Sequence, residues 1–593
     1  MKVKTFSRTL RILFALLIAV TALKILIVGY DIDEQYALSM SYRMVKGDFP
    51  VRDMWEPHQT SGFLAAILMI PYLFITKSTA GIVLYLRFCG LILQGFTAFL
   101  FYRCSCFVLR RHTSIAPGLC RDFGVLIACI YFFSLPKLMF FPEFSNMQLW
   151  FLLLMILCLA RYEEKGSRRW LLGAGFFLAL EVLSYPSTIL LYPVCLYYIL
   201  RHSRMQASPA SSSPAARKPS RFTPLTVTNL LRRNHAACFA LPSLAVFSLP
   251  CIAGAFLFVG YLLTGMSIGN LATLAPIVAS DGSHSATLRE KLLLNGKSLG
   301  EILAFFLVYS LLALLFSVVF FKKISLRYRF AVLLFLTTLT GQMVLWIFGS
   351  RYPNYPSLEY LLLPAASLLL HLCTKQQEDG LLFLYVCLPL TAFAGIVVFT
   401  NHPLLVSAPF LGLCAAGSVL WILIHVRGHD PALRGLLLIW VIVLLFGKCY
   451  MVRTTGGMHY TLFDSLSRIQ EGPAAGIIAD SRTVLRYQET TALLEECAIL
   501  DNANVFYIGN ANDLYLMQNM EFSTPSTISS PTFDEKVELY FAMHPEKRPE
   551  YVICNSELTS RDNGTWLAGF LQNNCPSEPL AENDYIKIYK TVY

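Results

Sequence analysis

The chain has 593 residues, 55% of them hydrophobic and only 14% charged, with a mean hydropathy of +0.55, which excludes a soluble domain of ordinary charge content. Its net charge of +11 does not signal nucleic-acid binding, because the Lys and Arg fall in short loops between apolar runs, where they set orientation in a membrane. Repeated apolar runs long enough to cross the roughly 30 Å hydrocarbon layer predict a polytopic α-helical membrane protein.

Lys2, Lys4, Arg8 and Arg11 precede the first apolar run, at about 12–30, and hold the N-terminus in the cytoplasm. No small-residue cleavage site follows, so that helix is expected to anchor rather than be removed. Loop 31–61 then lies outside. Segment 62–76 is short and contains Pro71; if it spanned, the basic stretch Arg103 to Arg121 would face outward, so it is expected as a juxtamembrane helix on the outer face. Spans are expected at 80–102, 122–141 and 147–160, then a hairpin over 170–200 bent at Pro186. Linker 201–234 carries seven Arg and Lys and a Ser/Pro/Ala run, the makeup of a disordered cytoplasmic segment. Further spans near 236–264, 298–320, 329–349, 358–374, 380–400, 404–426 and 434–451 bring the expected count to about thirteen and complete a transmembrane unit over 1–451.

Residues 452–593 change character. Short β-rich runs (AGIIA, VFYIGN, EYVICN, YIKIYKTVY) alternate with helix-like stretches, which predicts an extracytoplasmic α/β domain. Most of the 16 cysteines lie in apolar helices and behave as small hydrophobes. Cys497, Cys554 and Cys575 fall in the tail, where two could pair. Neither a GxGxxG nor a GxxxxGK[ST] phosphate loop occurs.

With this topology the polar residues that could do chemistry gather on one side: Asp31, Asp33, Glu34, Arg52, Glu56 and His58 in the first loop, Glu143 in the second, Tyr185 at the hairpin tip, and Arg351 and Tyr352 in SRYPNYPS. A carboxylate at a low-dielectric boundary can act as a general base, and an Arg can hold a phosphate through paired hydrogen bonds. Each also has a plainer reading. The loop acids could be a solvated helix end, Arg351 a snorkelling anchor, and His58 a structural cap. Asp31 and Asp33 also resemble a metal-binding DxD, so a divalent metal is possible, although that spacing is common by chance. Acid, Arg and aromatics at a lipid–water boundary suit a substrate with a lipid tail, a phosphate and a sugar. They would also suit a transporter, for which Glu181, inside a helix, is the candidate midplane group.

The order DEQYALSMSYRMVKGDFP, WEPHQTSG, FLAAILMIPYLFI, LYLRFCGL resembles the opening of the GT-C superfamily of membrane glycosyltransferases, especially protein O-mannosyltransferases and bacterial lipid A aminoarabinose transferases. The likeness covers about residues 10–200. Asp33 and Glu34 match the family's acidic pair, Arg87 its early Arg in the second span, and Glu143 its acid in the second outer loop, although EPHQTSG replaces the usual Lys-Pro-Pro-Leu-like element and Glu replaces Asp at 143. SRYPNYPSLEYLLLPAASLLL resembles the later Arg/Tyr segment. The resemblance implies inverting transfer of a sugar from a polyprenyl-phosphate donor to a glycan, lipid or protein acceptor on the non-cytoplasmic face. In that scheme Asp33 is the base, Glu34 and Glu143 assist, Arg351 offsets the leaving phosphate, and His58, Arg87, Tyr185 and Tyr352 contact substrate. The rival expectation is a lipid-linked-saccharide transporter or a non-catalytic envelope-assembly protein. The lack of organelle signals points to a bacterial plasma membrane.

Overall fold

The computed structural model describes residues 2–56, 58–207, 227–279, 287–320, 326–348, 359–374, 379–400, 403–426, 431–454, 457–497, 501–509, 512–527, 534–556 and 566–592. The first part of the chain is a helix bundle. Helix α1 spans Lys2–Ile27, α2 Ile32–Lys46, α3 Phe63–Thr76, α4 Ile82–His112, α5 Pro117–Phe132, α6 Phe144–Lys165, α7 Arg169–Ser184 and α8 Leu191–Ala207. Longer helices follow, including Val227–Gly265, Leu288–Phe320, Leu326–Phe348 and Pro431–Tyr450. Eight helices among the described residues are long and apolar enough to cross a bilayer, and leucines, isoleucines and phenylalanines cover their exposed faces. The chain is a multi-pass membrane protein.

Two elements depart from the sequence expectation. The span expected at 122–141 is helical only to Phe132, and 133–143 is an ordered, buried loop. Pro136 accounts for this, since the residue before a proline is pushed out of the helical region. The stretch 265–297, which falls between two expected spans, contains the helix Ile268–Ala279. Helix α3 is 14 residues, about 21 Å at 1.5 Å per residue, and is preceded by a 3₁₀ turn over Gln59–Gly62. Most of linker 201–234, including its Ser/Pro/Ala run, lies outside the described residues.

The C-terminal region is a separate layer. Strands β1 (Met451–Thr454) and β2 (Gly457–Thr461) form one hairpin, and β3 (Leu466–Arg468) and β4 (Ile478–Asp480) another. β5 (Asn504–Ile508), β6 (Glu521–Phe522), β7 (Tyr551–Asn555), β8 (Ala581–Glu582) and β9 (Ile586–Lys590) make a mixed sheet in the order β6-β5-β7-β9-β8. β5 runs parallel to β6 and β7, while β9 is antiparallel to both its neighbours. Helices Ser481–Glu496, Asp534–Met543 and Trp566–Asn574 cover the faces, as expected for a chain whose apolar runs alternate with amphipathic stretches.

This layer is built onto the loop after α1. Gly29 N donates to Ile478 O at 2.8 Å and Tyr30 N to Arg453 O at 3.0 Å, so the end of α1 continues as backbone pairing with the C-terminal region. Gly29 has φ +93°, and a Cβ there would stand 2.6 Å from Arg453 O, so only glycine fits. Further along, Trp55 N donates to Pro525 O at 2.7 Å, and Tyr30 and Ser39 hydroxyls hydrogen-bond Asp513 and Asn512. Buried Glu56 accepts from Thr527 N and Oγ1 and faces Arg43, which in turn pairs with Asp48 at 2.7 Å; Lys547 reaches the other Asp48 oxygen at 2.5 Å.

Candidate active site

Asp31 starts the site. It caps α2, accepting from Asp33 N at 3.0 Å, and its other oxygen pairs with Arg453 at 2.7 Å. The cap fixes the first turn of α2, and Asp33 and Glu34 leave that turn in different directions. Glu34 goes inward. It meets Arg87 of α4 in a two-pronged pair, 2.6 Å on each oxygen, with both side chains fully buried. Arg87 also donates to Leu26 O at 3.1 Å and Gly29 O at 2.6 Å, so it locks α2 and α4 to the end of α1.

Asp33 goes the other way and pairs with Lys137. The loop that Pro136 creates carries this lysine, and its ammonium lies 5.0 Å over the Phe144 ring. Burial alone would depress the ammonium, but Asp33, then Glu143, more than offset this and hold it above its usual value. Glu143 caps α6, accepting from Ser145 N and Asn146 N at 2.9 Å and from the Ser145 hydroxyl. Burial raises its carboxyl above the usual range, with Lys137 pulling the other way and the nearby Asp33 charge adding to the rise. The His58 ring stacks on Phe144 with centroids 4.6 Å apart, and Tyr185 stands 5.3 Å from His58.

The structure therefore gathers Asp33, Glu143, His58 and Tyr185 around Lys137 and Phe144. Asp33 keeps 28% of its side chain exposed, whereas Asp31, Glu34 and Glu143 are buried. Lys137 is the residue that sequence reading missed, because it lay inside an expected helix; Pro136 was the available signal. Arg52 pairs with its neighbour Asp53 at 2.7 Å, and Glu56 ties the loop to the C-terminal region, both away from this cluster. Arg351 and Tyr352 lie outside the described residues. Asp31 and Asp33, the two acids of the DxD, turn to different cations, Arg453 and Lys137, and no three His, Cys, Asp or Glu converge among the described residues.

Residues 86–214 match the family model of dolichyl-phosphate-mannose-protein mannosyltransferase. The match contains Arg87, Lys137, Glu143, Glu181 and Tyr185, and it bears out the resemblance drawn from the opening motif. Two solved structures align over nearly the whole chain: ArnT from Cupriavidus metallidurans in the apo state (9% identity, TM-score 0.35, 99% of this chain and 98% of that one) and the same protein bound to undecaprenyl phosphate (9%, 0.37, 98% of each). No curated protein matches the sequence.

Proposed function

We propose that this chain is a membrane glycosyltransferase that moves a sugar from a polyprenyl-phosphate donor to a glycan, lipid or protein acceptor on the non-cytoplasmic face, with inversion. The observation that carries this reading is a partly exposed carboxylate, Asp33, beside a cation and a second, buried acid at one end of a membrane helix bundle. In the reaction, Asp33 takes the proton of an acceptor hydroxyl as that oxygen attacks the anomeric carbon. The bond from that carbon to the phosphate oxygen breaks, and the polyprenyl phosphate leaves with the electron pair. A single displacement by an outside nucleophile inverts the centre.

Lys137 then has a second task. Once an acceptor occupies Asp33, the ammonium is free to turn to the leaving phosphate and offset its charge. Arg351 is a further candidate for that phosphate, on the resemblance alone. Glu143 orients the acceptor, and the His58 and Tyr185 rings offer apolar faces to the sugar. Glu34 and Arg87 act from beneath, holding α2 so that Asp33 points correctly. Although the segment Gln59–Thr76 that holds α3 is one of the eight long and apolar enough to cross a bilayer, we place α3 along the outer membrane surface beside this site, because a span there would turn the basic stretch Arg103 to Arg121 outward.

The test is incubation of the purified protein in lipid vesicles with a panel of polyprenyl-phosphate sugars, following donor consumption. The wild type should consume at least one donor, and Asp33→Asn none while remaining folded, with a modest fall in melting temperature from the lost Lys137 pair. The amide keeps the shape of the carboxylate but cannot accept the proton. Consumption of no donor by the wild type, or full turnover by Asp33→Asn, overturns the reading.

A further inference from the structure

Glu181 lies in the last turn of α7 and is fully buried. Neither of its carboxylate oxygens makes a hydrogen bond of normal geometry among the described residues. The Gln148 side chain and the Leu152 backbone, both on α6, approach the carboxyl as weak hydrogen-bond partners short of that geometry. The surroundings are otherwise apolar, with Met147, Trp150, Phe151 and Leu180 close by in sequence and packed together. A buried acid with only these two groups beside it leaves part of its hydrogen-bonding capacity unfilled, which is unfavourable in apolar surroundings and leaves room for a further partner.

Its position says what that partner touches. The Tyr185 N–H donates to the Glu181 carbonyl at 2.8 Å, which puts Glu181 one helical turn below Tyr185. Gln148 sits five residues into α6 from Glu143. At 1.5 Å per residue the two are about 6 and 7.5 Å inside the bundle from the Tyr185 and Glu143 backbones. They form a polar step directly beneath the candidate site. A carboxyl group accepts hydrogen bonds and, holding its proton, gives one, and a carboxamide both gives and accepts. That combination matches neighbouring hydroxyl groups.

We propose that Glu181 and Gln148 bind hydroxyl groups of the transferred sugar and thereby set which sugar the enzyme accepts. This rests on the glycosyl-transfer reading above. A site built to hydrogen-bond a hydroxyl rejects the analogue that lacks it far more strongly than an apolar pocket does, because its buried polar groups are left unmatched.

The experiment takes the best donor of the polyprenyl-phosphate sugar panel together with its mono-deoxy forms and measures kcat/KM with wild type, Glu181→Leu and Gln148→Leu. For at least one deoxy donor, the wild type should discriminate by a hundredfold or more. Glu181→Leu should lose about a hundredfold on the parent donor while changing little on that deoxy form, so discrimination collapses. Should Glu181→Leu fail to accumulate, Glu181→Gln keeps the shape, replaces the acid by an amide, and reads the same ratio with a smaller fall, about tenfold. Turnover with unchanged discrimination in these variants overturns this inference alone. Absence of turnover by the wild type on every donor overturns both it and the reading it rests on.

Discussion

Replacing Arg87 by Met tests how much of the loop's order comes from one buried ion pair. The wild-type guanidinium sits on both Glu34 oxygens and on the carbonyls of Leu26 and Gly29, and neither charged side chain reaches solvent. Methionine fills much of the space but leaves a carboxylate buried without its counter-charge, which costs about 3–5 kcal/mol. The two orphaned carbonyls add roughly 1 kcal/mol each. The expected loss is therefore on the order of 5–7 kcal/mol, enough to unfold the loop or the whole protein at ordinary temperature. Glu34→Leu in the Arg87→Met background removes the stranded charge and should recover about 3 kcal/mol, leaving only the carbonyl deficit. Thermal unfolding of the purified proteins in one detergent, with donor turnover measured on those that remain folded, separates scaffold from chemistry. A double variant no more stable than Arg87→Met would refute the reasoning, since the penalty would then not lie in the unmatched carboxylate.

Lys137→Met should lower kcat/KM by about a hundredfold or more if its charge offsets the leaving phosphate, with Lys137→Arg recovering part of it; equal activity in Met and wild type would remove Lys137 from the mechanism. Gly29→Ala should destabilise the join between the loop and the C-terminal region by on the order of 3 kcal/mol, because it adds a clash with Arg453 O to a left-handed backbone; protease resistance of the C-terminal region equal to wild type would contradict this. Asp513, buried against the Tyr30 hydroxyl with Tyr487, Arg486 and Glu34 nearby, is pushed up to about 6 by burial, above its ordinary 3.8. The folded chain thus keeps a proton that the unfolded chain has already lost, so this contribution to stability is complete below about pH 4 and disappears as pH rises through 6. Asp513→Asn should flatten the fall in melting temperature between pH 4 and 7, and a parallel fall in both proteins would count against the assignment.

The helices were legible because apolar runs of membrane length need no tertiary information, and the C-terminal sheet because alternating β-rich and amphipathic runs carry their own period. The loop end of 122–141 was misread because hydropathy is blind to a single proline: Pro136 stops α5 without lowering the apolar content. That hid Lys137, since a lysine inside an expected span carries no hint of the loop that displays it. The different fates of Asp33 and Glu34 were also out of reach. They are adjacent in sequence, and only the arrival of Arg87, 53 residues after Glu34, and Lys137, 104 residues after Asp33, distinguishes them. Nothing local in the tail announces that Arg453, Asp513, Thr527 and Lys547 reach back to the first loop.

That reach has a consequence for how the protein is made. The ribosome releases Asp31 early, yet Arg453, its partner, emerges 422 residues later. Ile478, Asp513, Thr527 and Lys547, which close on Gly29, Tyr30, Glu56 and Asp48, come later still. The nascent first loop must therefore wait, incomplete, while the bundle inserts. A polypeptide cut short anywhere before residue 453 could fill the membrane with helices and still lack the groups that finish the loop. Completion of synthesis is thus the step that finishes the first loop, and shortened copies would hold Asp31, Asp48 and Glu56 without their C-terminal partners.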